Sequence, residues 1–262
     1  MWKSNGKAFV LQKWDVLEES VQTLADRANQ FGTYIGKGNS SQWIGCPLRV
    51  HRRCQNPMFS VSNNIAYDKL MIQATTYKKS TIEQVFPTSK WIDVQYGKFD
   101  GNWSEDEGEV ALQLINKIIH STNTLPSLYI ISPFKHVAYN MQKYLKENSW
   151  KFSDALSSEE KSTLYKWINK SIGTIHTFQG KQAEGVILLL GGNPDKLGAI
   201  NWASNYPNLL NVAITRAKNL LFVVGNNSLW SSKPYFQELS SSLSIITAEK
   251  MFQNEVTERI IS

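Results

Sequence analysis

Two apolar stretches in the second half of the chain fix what it can fold into. Val186–Leu190 reads Val-Ile-Leu-Leu-Leu and Leu220–Val224 reads Leu-Leu-Phe-Val-Val, and neither alternates polar with apolar. A strand that is apolar on both sides must be covered on both faces, which a parallel sheet flanked by helices achieves. Around these two the chain reads as strand Ser127–Ile131, helix Phe134–Glu147, a helix near Leu164–Asn169, strand Ile172–Ile175 and helix Leu209–Lys218. Apolar strands interleaved with helices place the chain in the α/β class.

The first half is more helical. Asp15 with Glu18 has capping-box form, and Val16, Leu17, Val21, Leu24, Ala25 and Ala28 follow at helical spacing until Gly32. The Gly-, Ser- and Asn-rich stretch from Gly32 to Pro47 reads as a loop anchored by Trp43 and Ile44. Asn56-Pro57 opens a second helix carrying Met58, Phe59, Val61, Ile65 and Leu70, because proline is tolerated at a first helical position. Lys90–Gln95 has the composition of a short strand. Ser104 and Glu107 form another capping box, with Glu105, Asp106 and Glu109 where the helix dipole favours negative charge. That acidic group is accordingly read as a helix start and not as a metal site. The expected organisation is an N-terminal helix and loop over residues 1–47, then one α/β domain over residues 48–262.

Composition excludes more than it assigns. Twenty-eight Lys and Arg against 22 Asp and Glu leave a net charge of +6, which suits a polyanionic partner and many other proteins besides. Cys46 and Cys54, with four His, do not make the clustered spacing of a structural zinc site, and no metal ligand is assigned. Apolar runs stop far short of the roughly 18 residues that a membrane span needs. With no apolar segment behind Lys3, the expectation is a cytoplasmic protein with no membrane contact. Nine Trp offer possible base-stacking platforms, yet core packing or loop anchoring is the expectation for each, and none is assigned to nucleic acid.

Three stretches carry residues suited to chemistry. In Gly173–Gln182 a strand runs into hydroxyls and a glycine turn, where Thr hydroxyls and free backbone N–H groups suit phosphate oxygens; an ordinary connection would look similar. In Asn211–Lys218 a helix holds Arg216 among small residues just before a strand, so that its guanidinium either meets a transferring phosphate or pairs with a surface carboxylate. In Leu48–Cys54 Arg49, Arg52 and Arg53, half of the Arg in the chain, precede a helix start, a phosphate receptor or else a solvated basic loop.

In this order, and with Tyr129-Ile130-Ile131-Ser132-Pro133-Phe134 between them, these stretches resemble the second RecA-like domain of superfamily 1 helicases of the Upf-like and Dna-two-like branch. Leu48–Met58 is similar to the family's "L-x-V-x-Y-R-M-H-P" region and Tyr129–Phe134 to "I-I-T-P-Y". Thr174–Glu184 is similar to "T-V-D-x-F-Q-G-R-E-x-D", and Leu210–Lys218 to "L-N-V-A-L-T-R-A-K".

The resemblance implies a RecA-like sheet and an ATP-driven helicase or translocase. Arg216 falls on the arginine finger and Arg53 on the γ-phosphate sensor. Gly180 and Gln182 fall on nucleotide contacts, and Ser132, Pro133, Thr174, His176, Gln179 and Thr215 on the path of a single nucleic-acid strand. Four positions depart from the pattern: Gln182 replaces a Glu, His176 an Asp, Arg52 a Tyr and Val137 a Gln. The phosphate-binding loop G-x-x-x-x-G-K-[ST] and the acidic Mg²⁺ segment do not occur, since Gly36-Lys37 continues into Gly38. The implied assembly is therefore a fragment beginning past a first RecA-like domain, which would bind most of the ATP and Mg²⁺. The alternative is a RecA-like module that binds nucleic acid without hydrolysis.

Overall fold

The computed structural model describes residues 21–35, 41–45, 49–95 and 97–252. Asp15, Glu18, Cys46, Leu48 and two of the Trp, Trp2 and Trp14, lie outside them. Six strands form the central sheet: β1 (Lys90–Asp93), β2 (Leu128–Ser132), β3 (Ile172–Thr174), β4 (Ala183–Leu189), β5 (Ala217–Gly225) and β6 (Ser244–Thr247). All neighbours pair parallel, in the order β6-β1-β5-β4-β2-β3.

Strands β4 and β5 sit at the centre, and every residue of Val186–Leu190 and Leu220–Val224 is 2% exposed or less. Burial of consecutive residues needs cover on both faces, as the unbroken apolar runs predict. Seven helices matter for the site: α1 (Val21–Ala28), α2 (Met58–Ala66), α3 (Glu105–Thr122), α4 (Lys135–Glu147), α5 (Ser158–Ser171), α6 (Leu197–Ser204) and α7 (Pro207–Ile214). Helices α3 and α7 both lie against β4 and β5, and α4 lies against β2 and β3.

Four expectations are corrected. Gly32–Ile35 and Gln42–Gly45 pair as an antiparallel hairpin instead of a loop, with Tyr34 opposite Trp43 and their rings 5.2 Å apart. Helix α1 packs on it, and Asp26 accepts hydrogen bonds from the Trp43 indole at 3.1 Å and the Gly45 N–H at 3.1 Å. Helix α5 starts six residues before Leu164, where the Ser157 hydroxyl caps the Glu160 N–H at 3.2 Å. Helix α7 ends at Ile214, four residues before Lys218, because Ala217 already pairs with Ala183 across the sheet.

The fourth correction concerns α3. Ser104 is its N-cap residue in extended conformation, but its side chain caps nothing. Glu107 turns inward instead, 3% exposed, and accepts the Gly191 N–H at 2.8 Å. Gly191 follows β4 with φ +61, and a β-carbon there would stand 2.5 Å from the Asn102 carbonyl oxygen and 2.7 Å from Val137. Replacing Gly191 with alanine is expected to cost about 3 kcal/mol, combining left-handed strain with overpacking. An unchanged urea midpoint would show that this turn relaxes freely.

Candidate functional site

Arg216 occupies the turn between α7 and β5, at the edge of the sheet where β4 and β5 begin. Arg216 is 4% exposed, and among the described residues its guanidinium is held by neutral acceptors alone. Nε donates to Val212 O at 2.9 Å, Nη1 to Lys181 O at 3.1 Å and Phe178 O at 3.4 Å, and Nη2 to the Thr215 hydroxyl at 3.2 Å. Burial first, and the Arg53 charge second, depress its pKa. Among the described residues no carboxylate pairs with either arginine, while a buried guanidinium ordinarily finds one.

Several long-range contacts bring Arg53 to this edge. The Ser62 hydroxyl on α2 donates to Asn211 Oδ1 on α7 at 2.6 Å, Asn211 Nδ2 donates to the Tyr67 hydroxyl at 3.3 Å, and Gln55 N–H donates to Lys218 O at 2.9 Å. Asn211 is thus the hub that holds the Arg53 segment against the Arg216 turn. The sequence signal for it was a lone amide inside the apolar run Leu209–Ile214, and no role was assigned to it. Arg49 is engaged elsewhere, donating to Leu70 O at 2.8 Å.

Cys54 is core filler: burial pushes its thiol up to about 12, beyond use as a nucleophile at neutral pH. His51 lies 3.0 Å from its sulfur and accepts the Cys54 N–H, and burial with the Arg53 charge lowers the His51 pKa.

The glycine turn belongs to the same edge. Gly180 has φ +83, and nothing lies within 4 Å of where a β-carbon would stand. Such open space above a glycine in the left-handed region lets a ligand approach the backbone closely. Gln182 is half-buried nearby.

The remaining motif residues separate from these. β2 and β3 end side by side, Ser132 opposite Thr174, at the opposite edge of the sheet. Thr174 Oγ1 lies 3.2 Å from Thr177 Oγ1. His176 and Gln179 are exposed on and just after the 3₁₀ turn Ile175–Phe178. The Ser132 hydroxyl is buried and accepts the Phe134 N–H at 3.2 Å, and Pro133 between them is half-buried. Thr215 is buried as well, donating to Asn211 O at 2.7 Å while holding Arg216. In this conformation Ser132 and Thr215 shape the backbone, and Thr174, His176 and Gln179 are the side chains open to a ligand. Residues 174–183 connect the two edges, so one short segment touches both clusters.

Of the described Trp residues, Trp91, Trp103 and Trp230 are core, whereas Trp150 and Trp202 stand 69% and 57% exposed. No described helix is long and apolar enough to cross a membrane.

The model of a family described as "AAA domain" matches residues 31–228. The chain is 25% identical over 186 residues to a Gallus gallus protein described as "DNA replication ATP-dependent helicase/nuclease DNA2", covering 68% of this chain and 16% of that relative. A solved structure of S. cerevisiae Dbp5 bound to RNA and ADP BeF3 aligns with 74% of this chain and 51% of its own, at 14% identity and a TM-score of 0.35. With its motifs in family order on a six-stranded parallel sheet, the chain belongs to the AAA domain family, as a helicase-type domain similar to the Dna2-like branch.

Proposed function

We propose that the chain is the second motor domain of an ATP-dependent DNA or RNA helicase or translocase, supplying an arginine finger to an ATP site shared with a first RecA-like domain. The observation that carries this is the Arg216–Arg53 edge: a buried guanidinium held by carbonyls, a second cation beside it, and no described carboxylate to neutralise either. Two positive charges at a strand edge fit the phosphates of a nucleotide once Arg216 exchanges its carbonyl partners for phosphate oxygens. ATP bound there supplies the phosphoanhydride bond and the leaving phosphate.

This chain's part is electrostatic. Arg216, and Arg53 with it, offsets negative charge that develops on the phosphate, and the open backbone at Gly180 with Gln182 contacts the nucleotide. The phosphate-binding loop and Mg²⁺ ligands, which the sequence lacks, are assigned to the first domain. Thr174, His176 and Gln179 at the opposite edge take the single strand, with Ser132 and Pro133 fixing the strand end beside them and Thr215 joined to that path through Arg216, which donates to the Phe178 and Lys181 carbonyls. Segment 174–183 spans both edges, which gives hydrolysis a direct mechanical path to the strand. The buried free thiol of Cys54 accords with a cytoplasmic setting.

The test is ATP turnover by the parent protein with and without single-stranded oligonucleotide. Turnover stimulated by the strand is expected. A second reading, a module that binds nucleic acid without hydrolysis, is favoured by Gln182 where the resembled helicase pattern has a carboxylate and by Val137, fully buried where that pattern has an amide. Strand binding with no turnover, beside a first domain that binds ATP, would establish that reading instead.

A further inference from the structure

Between the 3₁₀ turn Ile175–Phe178 and helix α7 lies an open cleft of about 340 Å³. His176 and Gln179 line one wall and Asn208 and Asn211 the other. Asn211 is committed to Ser62 and Tyr67. The imidazole of His176 and the amides of Gln179 and Asn208 bond to no described residue, so three planar donor-and-acceptor groups face the same space unspent.

Two large exposed aromatic residues lie just before Asn208 in the chain, outside the lining of the cleft. Tyr206 is the extended residue that precedes α7, two positions from Asn208, and is 67% exposed; Trp202, in the last turns of α6, is 57% exposed. Neither the Tyr206 hydroxyl nor the Trp202 indole bonds to a described residue, so neither ring is held by the fold at its polar end. A water-facing Trp and Tyr within five residues offer two flat apolar faces close in sequence to the uncommitted Asn208 amide. Lys181 and Lys196 are exposed on the segments that lead away from the cleft.

We propose that this cleft is a nucleobase subsite on the path of the single strand, with Tyr206 and Trp202 stacking on bases and Asn208, Gln179 and His176 bonding to a base edge. It rests on the nucleic-acid reading of the 174–179 segment and adds Trp202, Tyr206 and Asn208 to it. Amides and an imidazole match the mixed donor and acceptor edge of a base, and exposed rings match its π face. Amides also reach phosphate and sugar oxygens, so it is the two exposed rings that select for bases. The base is thus the contact that the rings add to those made by the backbone.

The experiment is fluorescence anisotropy of the 262-residue chain with labelled dT15 and with an abasic strand of the same length, across a salt series. Wild type is expected to prefer dT15, and Trp202→Ala/Tyr206→Ala to lose about tenfold on dT15 and nothing on the abasic strand. The salt slope should stay the same in both proteins, because phosphate contacts are untouched. Asn208→Ala, whose exposed side chain holds nothing in the fold, should weaken dT15 binding in the same sense. Equal binding of the two strands by wild type, with the salt slope intact, would overturn the subsite and leave the strand path standing. Failure of wild type to bind either strand would overturn both.

Discussion

Replacing Arg216 with alanine is expected to lower ATP turnover by the parent protein about a thousandfold or more, the range in which arginine fingers act, while ATP affinity changes little. The expectation follows from where the charge sits. A guanidinium stays protonated in a protein, and this one is turned inward with only carbonyl and hydroxyl oxygens around it. Its positive charge is therefore spent on no counter-ion within the described chain, and Arg53 beside it raises the local potential further. A surface arginine paired with a carboxylate would show the opposite pattern and would matter little.

The same hydrogen bonds complicate the alanine variant: the Phe178 carbonyl keeps the Lys181 N–H and the Val212 carbonyl the Thr215 hydroxyl, but the Lys181 carbonyl loses its donor, at a cost of about 1–2 kcal/mol.
 Arg216→Lys separates the two effects: it keeps the charge and part of the bonding but not the planar fork, and it should fold normally yet remain slow. Turnover in Arg216→Ala equal to wild type would remove the finger role. Loss of ATP binding together with turnover would make Arg216 a positioning residue for the Phe178–Lys181 turn.

How much of this was legible in the sequence differs between elements for physical reasons. The strands at Val186 and Leu220 were, because a doubly covered strand is a continuous apolar run whatever surrounds it. The end of α7 was not: Thr215, Arg216 and Ala217 carry nothing that opposes helix, and only the pairing of Ala217 with Ala183 turns the chain into β5. The hairpin at Gly32–Gly45 was hidden by its Gly- and Ser-rich composition, its Tyr34–Trp43 pair being visible only once register is known. Motif likeness brought Arg53 and Arg216 to notice, but the Asn211 hub that joins them spans 149 positions from Ser62 and has no local signature. Ser132 and Thr215 show the converse. Their hydroxyls match motif positions, and tertiary burial spends them on the backbone.

Glu107 shows the same limit most strongly and leads to the second large effect. Its spacing from Ser104 spelled a capping box, yet packing turned it under the Gly191 turn. Burial pushes its carboxyl up to about 8 from an ordinary 4.5, with the Gly191 N–H pulling the other way and the Asp106 charge adding to the rise. Below pH 4.5 folded and unfolded chains are both protonated here, so the group has no influence. As pH climbs from 4.5 to 8 the unfolded chain ionises and the folded one holds its proton, so stability falls through that window and levels off above it. A shift of that size is worth roughly 5 kcal/mol in all.

Glu107→Gln removes the titration while keeping a carbonyl oxygen for the Gly191 N–H. The variant and wild type should have similar urea midpoints near pH 4.5, and the variant should become the more stable by several kcal/mol near pH 8, on the order the linkage gives. Taking the difference between the two proteins cancels every other titrating group. Parallel stability profiles across the window would mean that Glu107 ionises in the folded chain as freely as in water, and that the buried contact with Gly191 does not hold a proton in place.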